Sequence, residues 1–245
     1  MKPFWLALQF MSRLPTPQFD SISAQEMGRS IQFFPIVGLI VGSVLVASAQ
    51  LHFFLPNEIV AGLVLAVWAW VTGALHLDGL ADTADGWLGG VGNQQRALEI
   101  MKDSRIGTGG GVALVIILLL KWLALTYLIV AQSWLWLLFI PLIARVAAIG
   151  LMPFTPYVSL QGLAEEMVLN LNRWGVFVWL GLVLLVLIWL AWPLALGLIG
   201  VWLWMRWLMI RITGGMTGDT AGAMTEVMEL AMMIGLIAFL GLANS

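Results

Sequence analysis

Between His76 and Arg105 the chain reads HLDGLADTADGWLGGVGNQQRALEIMKDSR, a stretch holding five of its thirteen acidic residues and three of its eleven basic ones. Asp78, Asp82 and Asp85 are spaced i, i+4, i+7, which on an α-helix puts them within about 60° of one face. Carboxylates so close repel one another and hold protons unless a cation neutralises them. Oxygen ligands in a chain without cysteine suit Mg²⁺ or Mn²⁺. A solvated acidic helix end is the plainer alternative. It fits less well, because a membrane chain this poor in charge would not concentrate its carboxylates there.

Glu99 and Asp103 form a second i, i+4 pair, with Arg96, Lys102 and Arg105 interleaved. The plain structural reading of Arg96 and Glu99 is a surface ion pair on a helix. Arg105 precedes Gly107-Thr108-Gly109-Gly110-Gly111 at the start of an apolar run. Free amides at a helix N-terminus favour phosphate, and an arginine adds a bidentate fork. The glycine run alone serves close helix packing equally well. A second polar turn, Arg211-Ile-Thr-Gly-Gly-Met-Thr217-Gly-Asp219-Thr220, has the look of a phosphate- or metal-holding turn. Thr217 and Thr220 fit either a ligand or a helix N-cap. Asp219 is the only acid between Glu166 and Glu226. Lys121 and Arg145 fall inside apolar runs, so each must snorkel or line a polar cavity. His76 suits a base, a phosphate donor or a helix end.

The elements that must carry these residues are membrane helices. Of the 245 residues 61% are hydrophobic and 10% charged, against about 25% charged in a soluble domain. The fold class is all-α: a polytopic integral membrane bundle forming one catalytic domain over residues 1–245. Seven stretches are long enough to cross a bilayer, at 31–54, 58–75, 109–131, 133–152, 174–192, 194–212 and 220–242. An N-terminal interfacial helix ends near Pro15. The last span is the weakest, since Glu226 and Glu229 lie within it. The longer connections carry Lys2, Arg13, Arg29, Arg96, Lys102, Arg105, Arg173 and Arg211, and the tight turns carry no basic residue. Positive charge marks the cytoplasmic side of a cell membrane, so the carboxylate window and the Asp219 turn are expected to face the cytoplasm together. A net charge of −2 gives no reason to expect nucleic acid. The sequence leaves oligomeric state open.

HLDGLADTADG, RALEIMKDSRIGTGGG and GGMTGDTAGA closely resemble the signatures of the cobalamin synthase, or adenosylcobinamide-GDP ribazoletransferase, family. LQFMSRLPTP and FFPIVGLIVG match its N-terminal pattern. The resemblance covers nearly the whole chain. It implies a Mg²⁺-dependent, membrane-embedded enzyme that joins adenosylcobinamide-GDP to α-ribazole or its 5′-phosphate and releases GMP. The residues matching the motifs are Asp78, Asp82, Asp85, Glu99, Asp103, Asp219, Glu226 and Glu229, with His76, Arg105, Lys121, Arg145 and Arg211. The chain departs from the family's usual residues at Gly109, Ser159 and Ala164.

Phosphoryl transfer is mostly positioning and charge neutralisation. On this reading Asp78, Asp82, Asp85, Asp103 and Asp219 are the metal set, and Asp82, Asp85 and His76 are the catalytic candidates. The substrate set is Lys102, Arg105, Gly107, Thr108, Gly110, Lys121, Arg145, Arg211, Thr217 and Thr220. Two other classes are weighed. A CDP-alcohol phosphotransferase expects DGxxAR, but Asp78-Gly79-Leu80-Ala81 is followed by Asp82-Thr83, with no arginine in its place. An ion-coupled transporter expects acids near the midplane, whereas most here sit at the expected boundary.

Overall fold

The computed structural model describes residues 1–159 and 163–243; the expected anion-contact loop at 156–164 therefore falls partly outside them. Eleven α-helices follow one another among the described residues: α1 (Lys2–Met11), α2 (Ala24–Ser30), α3 (Phe34–Ala49), α4 (Asn57–Val71), α5 (Leu75–Gly89), α6 (Gln94–Met101), α7 (Thr108–Val130), α8 (Ile140–Ile149), α9 (Leu163–Leu169), α10 (Arg173–Thr213) and α11 (Gly218–Ala243). No strand forms among these residues. One isolated parallel bridge joins Tyr157 to Met216.

Four helical segments are long and apolar enough to cross a membrane, or five if α4 and α5 make one broken span. Seven stretches were expected, and the differences have local causes. The run 58–75 ends at Val71, and the chain bends by 87° into α5 through Gly73 at φ 64° and Ala74 at φ 57°. A left-handed alanine is uncommon, which marks this turn as held by its surroundings. The run 133–152 becomes a 3₁₀ turn followed by the ten-residue α8, too short to cross alone. The runs 174–192 and 194–212 join into α10, which is interrupted at Ala191 (φ −160°, ψ 73°) just before Pro193. Phe154 lies 5.9 Å from the Phe177 ring and 6.3 Å from the Trp202 ring. Twenty-five positions separate those two residues, about 37 Å along a straight helix. α10 therefore doubles back at Ala191, so the two expected runs 174–192 and 194–212 persist as its two halves.

The outward faces of α7 and α10 expose Val115, Leu119, Leu123, Leu182, Leu185 and Trp189. Water does not tolerate apolar surface of that extent, so the bundle is membrane-embedded. Inside, α3 lies directly against α8. A Cβ at Gly38 would stand 2.7 Å from the Leu142 Cα, and one at Gly42 would meet the Leu138 carbonyl. Small residues replace the hydrophobic effect as the source of close packing in lipid.

One charged cluster crosses this apolar core. Lys121 Nζ of α7 donates to Glu226 Oε2 and to Glu229 Oε2 of α11, each at 2.6 Å. Arg145 Nη1 of α8 donates to Glu229 Oε1 at 3.2 Å and to the Pro141 carbonyl at 2.9 Å. The ammonium also sits 4.5 Å from the Trp68 ring of α4. Two acids balance two bases, and all four are buried. The glutamates that made the last span doubtful are thus its anchors.

Removing one member leaves an unbalanced buried charge, which destabilises by about 3–5 kcal/mol. Glu229→Leu is expected to lower the melting temperature of the detergent-solubilised protein, and adding Lys121→Met is expected to recover part of the loss. A Glu229→Leu protein that melts with the wild type would contradict a stabilising role for the cluster.

Candidate active site

α5 carries His76 in its first turn and Asp78, Asp82 and Asp85 along one face. It crosses the start of α11 at Gly79. A Cβ at Gly79 would lie 2.7 Å from the Asp219 carbonyl oxygen and 2.9 Å from its Cα, so no side chain fits there. Gly222 keeps the other helix close, since a Cβ there would stand a tight 3.3 Å from the His76 Cα. The two glycines let the backbones meet. Asp219, in the first turn of α11, therefore stands beside the α5 carboxylates. Asp78, Asp219 and Asp85 all act on the charge of Asp82.

The turn that leads into α11 is fixed from several sides. The Thr220 hydroxyl accepts the Thr217 N–H at 2.8 Å, and the Thr217 hydroxyl accepts the Thr220 N–H at 3.1 Å. Both threonines are buried, so these hydroxyls cap α11. The Met216 N–H donates to the Pro156 carbonyl at 2.8 Å, and the Val158 N–H donates to the Met216 carbonyl at 3.0 Å. The Tyr157 strip thereby lies along the α10–α11 turn. Burial raises the Tyr157 phenol above its ordinary pKa.

Asp85 has a different role from its two neighbours. Its Oδ2 accepts the Gly107 N–H at 2.7 Å and its Oδ1 accepts the Gly110 N–H at 2.8 Å. A carboxylate at the N-terminus of α7 satisfies orphan amides and complements the helix dipole. Two of the glycine amides expected at phosphate are therefore already occupied by an acid from α5. Gly109 and Gly110 pack closely on α5: a Cβ at Gly110 would lie 2.9 Å from the Ala81 carbonyl oxygen.

The α6–α7 connection holds Asp103 and Arg105 together. Arg105 Nη2 meets Asp103 Oδ2 at 2.6 Å, and the Arg105 N–H donates to Oδ1 at 3.1 Å. These bonds hold the Asp103 carboxyl down at about 2 and raise the guanidinium. The arginine side chain remains 86% exposed. An Arg96–Glu99 ion pair, the plain structural reading of that spacing, does not form: Glu99 accepts instead from Gln95 Nε2 at 3.4 Å, and Arg96 makes no ion pair among the described residues.

Two cavities open on either end of the α5 acid row. One, of about 880 Å³, is lined by Asp85, Arg96, Asp103, Arg105, Gly107 and Thr108 among others. The second, of about 310 Å³, contains Asp78, Asp219 and His76. Asp82 lies one turn from Asp78 and one turn from Asp85, between the two. His76 is buried, and its Nε2 has no hydrogen-bonding partner.

The remaining expected residues spread more widely. Lys102 is exposed beside a pocket of about 160 Å³ shared with Glu99 and Ser159. Arg211 is exposed, 5.2 Å from the Trp207 ring at the end of α10. Lys121 and Arg145 pair with the buried glutamates, although Arg145 Nε and Nη2 keep no hydrogen-bond partner, and Thr217 and Thr220 serve the cap. The aromatic wall of the smaller cavity, including Phe10, Phe34 and Tyr157, gave no signal in sequence, because those residues look like ordinary membrane core.

Oxygen-only donors fit Mg²⁺, which commonly takes one or two carboxylates together with substrate phosphates and water. No group of three or more acidic or histidine side chains is gathered tightly enough for an all-protein cage among the described residues. With Asp85 capping α7 and Asp103 bound to Arg105, the acids left to a cation are Asp78, Asp82 and Asp219.

The model of the cobalamin-5-phosphate synthase family matches residues 3–237. Relatives named adenosylcobinamide-GDP ribazoletransferase align over nearly the full chain. That of Pseudomonas entomophila (strain L48) is 46% identical over 241 residues, covering 96% of this chain and 98% of the relative. That of Pseudomonas fluorescens (strain Pf0-1) is 44% identical over 243 residues, covering 98% and 100%. That of Acinetobacter baumannii is 43% identical over 237 residues, covering 95% and 96%. No solved structure matches the chain.

Asp85→Ala is expected to destabilise the protein by about 0.5–2 kcal/mol, the usual effect of losing a cap. Asp85→Asn keeps an acceptor oxygen and should lose less. Melting curves in detergent decide this, and an alanine variant as stable as wild type would remove the capping role.

Proposed function

The chain belongs to the cobalamin-5-phosphate synthase family, and we propose that the α5–α11 crossing is where it joins α-ribazole, or its 5′-phosphate, to adenosylcobinamide-GDP. The ribazole hydroxyl oxygen bonds to the cobinamide-side phosphorus of the diphosphate. The phosphorus–oxygen bond to the guanylate breaks, GMP leaves, and the hydroxyl proton passes to a nearby base. The observation that carries this reading is the juxtaposition of Asp78, Asp82 and Asp219 at the crossing, where Asp78 and Asp219 line one cavity and Asp85, on the same helix, lines the other.

The larger, polar cleft suits the diphosphate. Arg105 and Arg96 line it, and arginine forks match phosphate oxygens. Gly107 and Gly110 contribute indirectly, since Asp85 takes their amides and holds α7 where the exposed Thr108 and half-buried Gly109 line the cleft. Arg105 exchanges Asp103 for phosphate, or shares itself between them. Lys102 and Arg211, both exposed on the same side of the bundle's polar segments, add positive field around the entrance.

Asp78, Asp82 and Asp219 would hold Mg²⁺, which when bound supplies charge neutralisation at the diphosphate. His76 or a carboxylate oxygen of Asp78 or Asp82 left free would take the proton; of these, His76 and Asp78 line the smaller cavity. Basic residues cluster on the connections around this site, so it faces the cytoplasm from a cell membrane by the positive-inside rule. A site at the membrane surface suits an amphiphilic corrinoid.

The test is GMP release and cobamide formation by the purified protein in detergent or vesicles. Asp82→Asn is expected to reduce turnover on the order of 100-fold or more. Chelation of divalent cations should abolish activity, and added Mg²⁺ should restore it. Near-normal turnover of Asp82→Asn at limiting Mg²⁺ would take Asp82 out of the site, and activity unmoved by chelation would end the metal assignment.

A further inference from the structure

We infer that the smaller cavity, enclosed by α1, α3, α5, α8, α9 and α11, is the seat of the acceptor nucleoside, with its aromatic base inside and its ribose toward Asp78 and Asp219. This rests on the transfer reaction proposed above and divides its two substrates between the two cavities.

Size makes the first argument. Ligand cavities run from roughly 300 to 1,000 Å³. The 310 Å³ cavity lies at the bottom of that range and the 880 Å³ cleft near the top. The diphosphate substrate carries a corrinoid and a guanosine, so only the larger, more open cleft has room at its rim. A single nucleoside matches the smaller one.

Lining chemistry makes the second. Phe10 of α1 and Phe34 of α3 stack there, 5.9 Å apart and 12° from parallel, and Tyr157 adds a third ring. Met152, Met167 and Met216 fill between them. Flat rings and thioethers together favour an aromatic guest, through offset stacking and sulfur–ring contacts. No lysine or arginine lines this cavity among the described residues, so it offers nothing to a diphosphate. The purely apolar cavity of about 450 Å³ between the two halves of α10 has no acid in its lining and cannot deliver a hydroxyl to the reacting phosphorus.

The experiment compares Met152→Trp, which fills the cavity, with wild type. Initial rates are measured against α-ribazole and against adenosylcobinamide-GDP separately. The KM for α-ribazole is expected to rise about tenfold or more, while the KM for the diphosphate substrate stays within about twofold. In a second readout, without the diphosphate substrate, α-ribazole should raise the melting temperature of wild type and not of Met152→Trp. Met152→Ala guards against a misfolded tryptophan variant: it loses sulfur–ring contact, and its KM for α-ribazole should rise several-fold alone. A wild type that turns over while both variants keep the wild-type KM for α-ribazole overturns this assignment and leaves the reaction standing. A wild type that forms no cobamide overturns the reaction, and the melting shift then still decides whether the cavity binds the nucleoside.

Discussion

The site depends on one backbone contact: the crossing of α5 over the first turn of α11 at Gly79. Like charges do not gather spontaneously, and three carboxylates on two helices push those helices apart. Something else must hold them in place. Gly79 and Gly222 remove the side chains that would separate the backbones, so dispersion and close packing act at the shortest range the chain permits. The threonine cap fixes the start of α11, and the Tyr157–Met216 bridge fixes the turn before it.

Deeper in the bundle the buried cluster sets the position of α11 against α7 and α8. Glu226 lies seven residues beyond Asp219, two helical turns along nearly the same face. A pair of short bonds from Lys121 to Glu226 and Glu229 therefore pins the helix that presents Asp219. Asp85 does the equivalent for α7, from the α5 side. Charged groups here do two distinct kinds of work. Lys121, Glu226, Glu229 and Asp85 position helices, and Asp78, Asp82 and Asp219 are the acids proposed for a cation.

Much of this was legible in the sequence, for reasons that can be named. Carboxylates at helical spacing stand out when almost everything around them is apolar, so the α5 acids and Asp219 announced themselves, and the convergence of their segments followed from the alternation of long and short connections. Lys121 and Arg145 were visible as residues in need of partners, but sequence cannot say that the partners are Glu226 and Glu229, about a hundred positions away. Nor could it show that Asp85 caps a helix beginning more than twenty residues later, because a carboxylate for metal and a carboxylate for amides look alike in one dimension. The count of seven spans is not confirmed where hydropathy is blind to geometry, at the Gly73–Ala74 bend and in the short α8, whereas the expected break between 174–192 and 194–212 coincides with the reversal at Ala191. Phe10 and Phe34 were indistinguishable from lipid-facing residues until α1 and α3 were seen to close over the same space.

The most direct test of the crossing is Gly79→Ala, assayed for cobamide formation alongside its melting curve. One methyl group placed against the Asp219 backbone should separate α5 from α11, giving a protein that still melts cooperatively but has lost most of its turnover. A Gly79→Ala enzyme with wild-type activity would show that Asp219 need not stand beside Asp78 and Asp82, and the account of the site would fall with it.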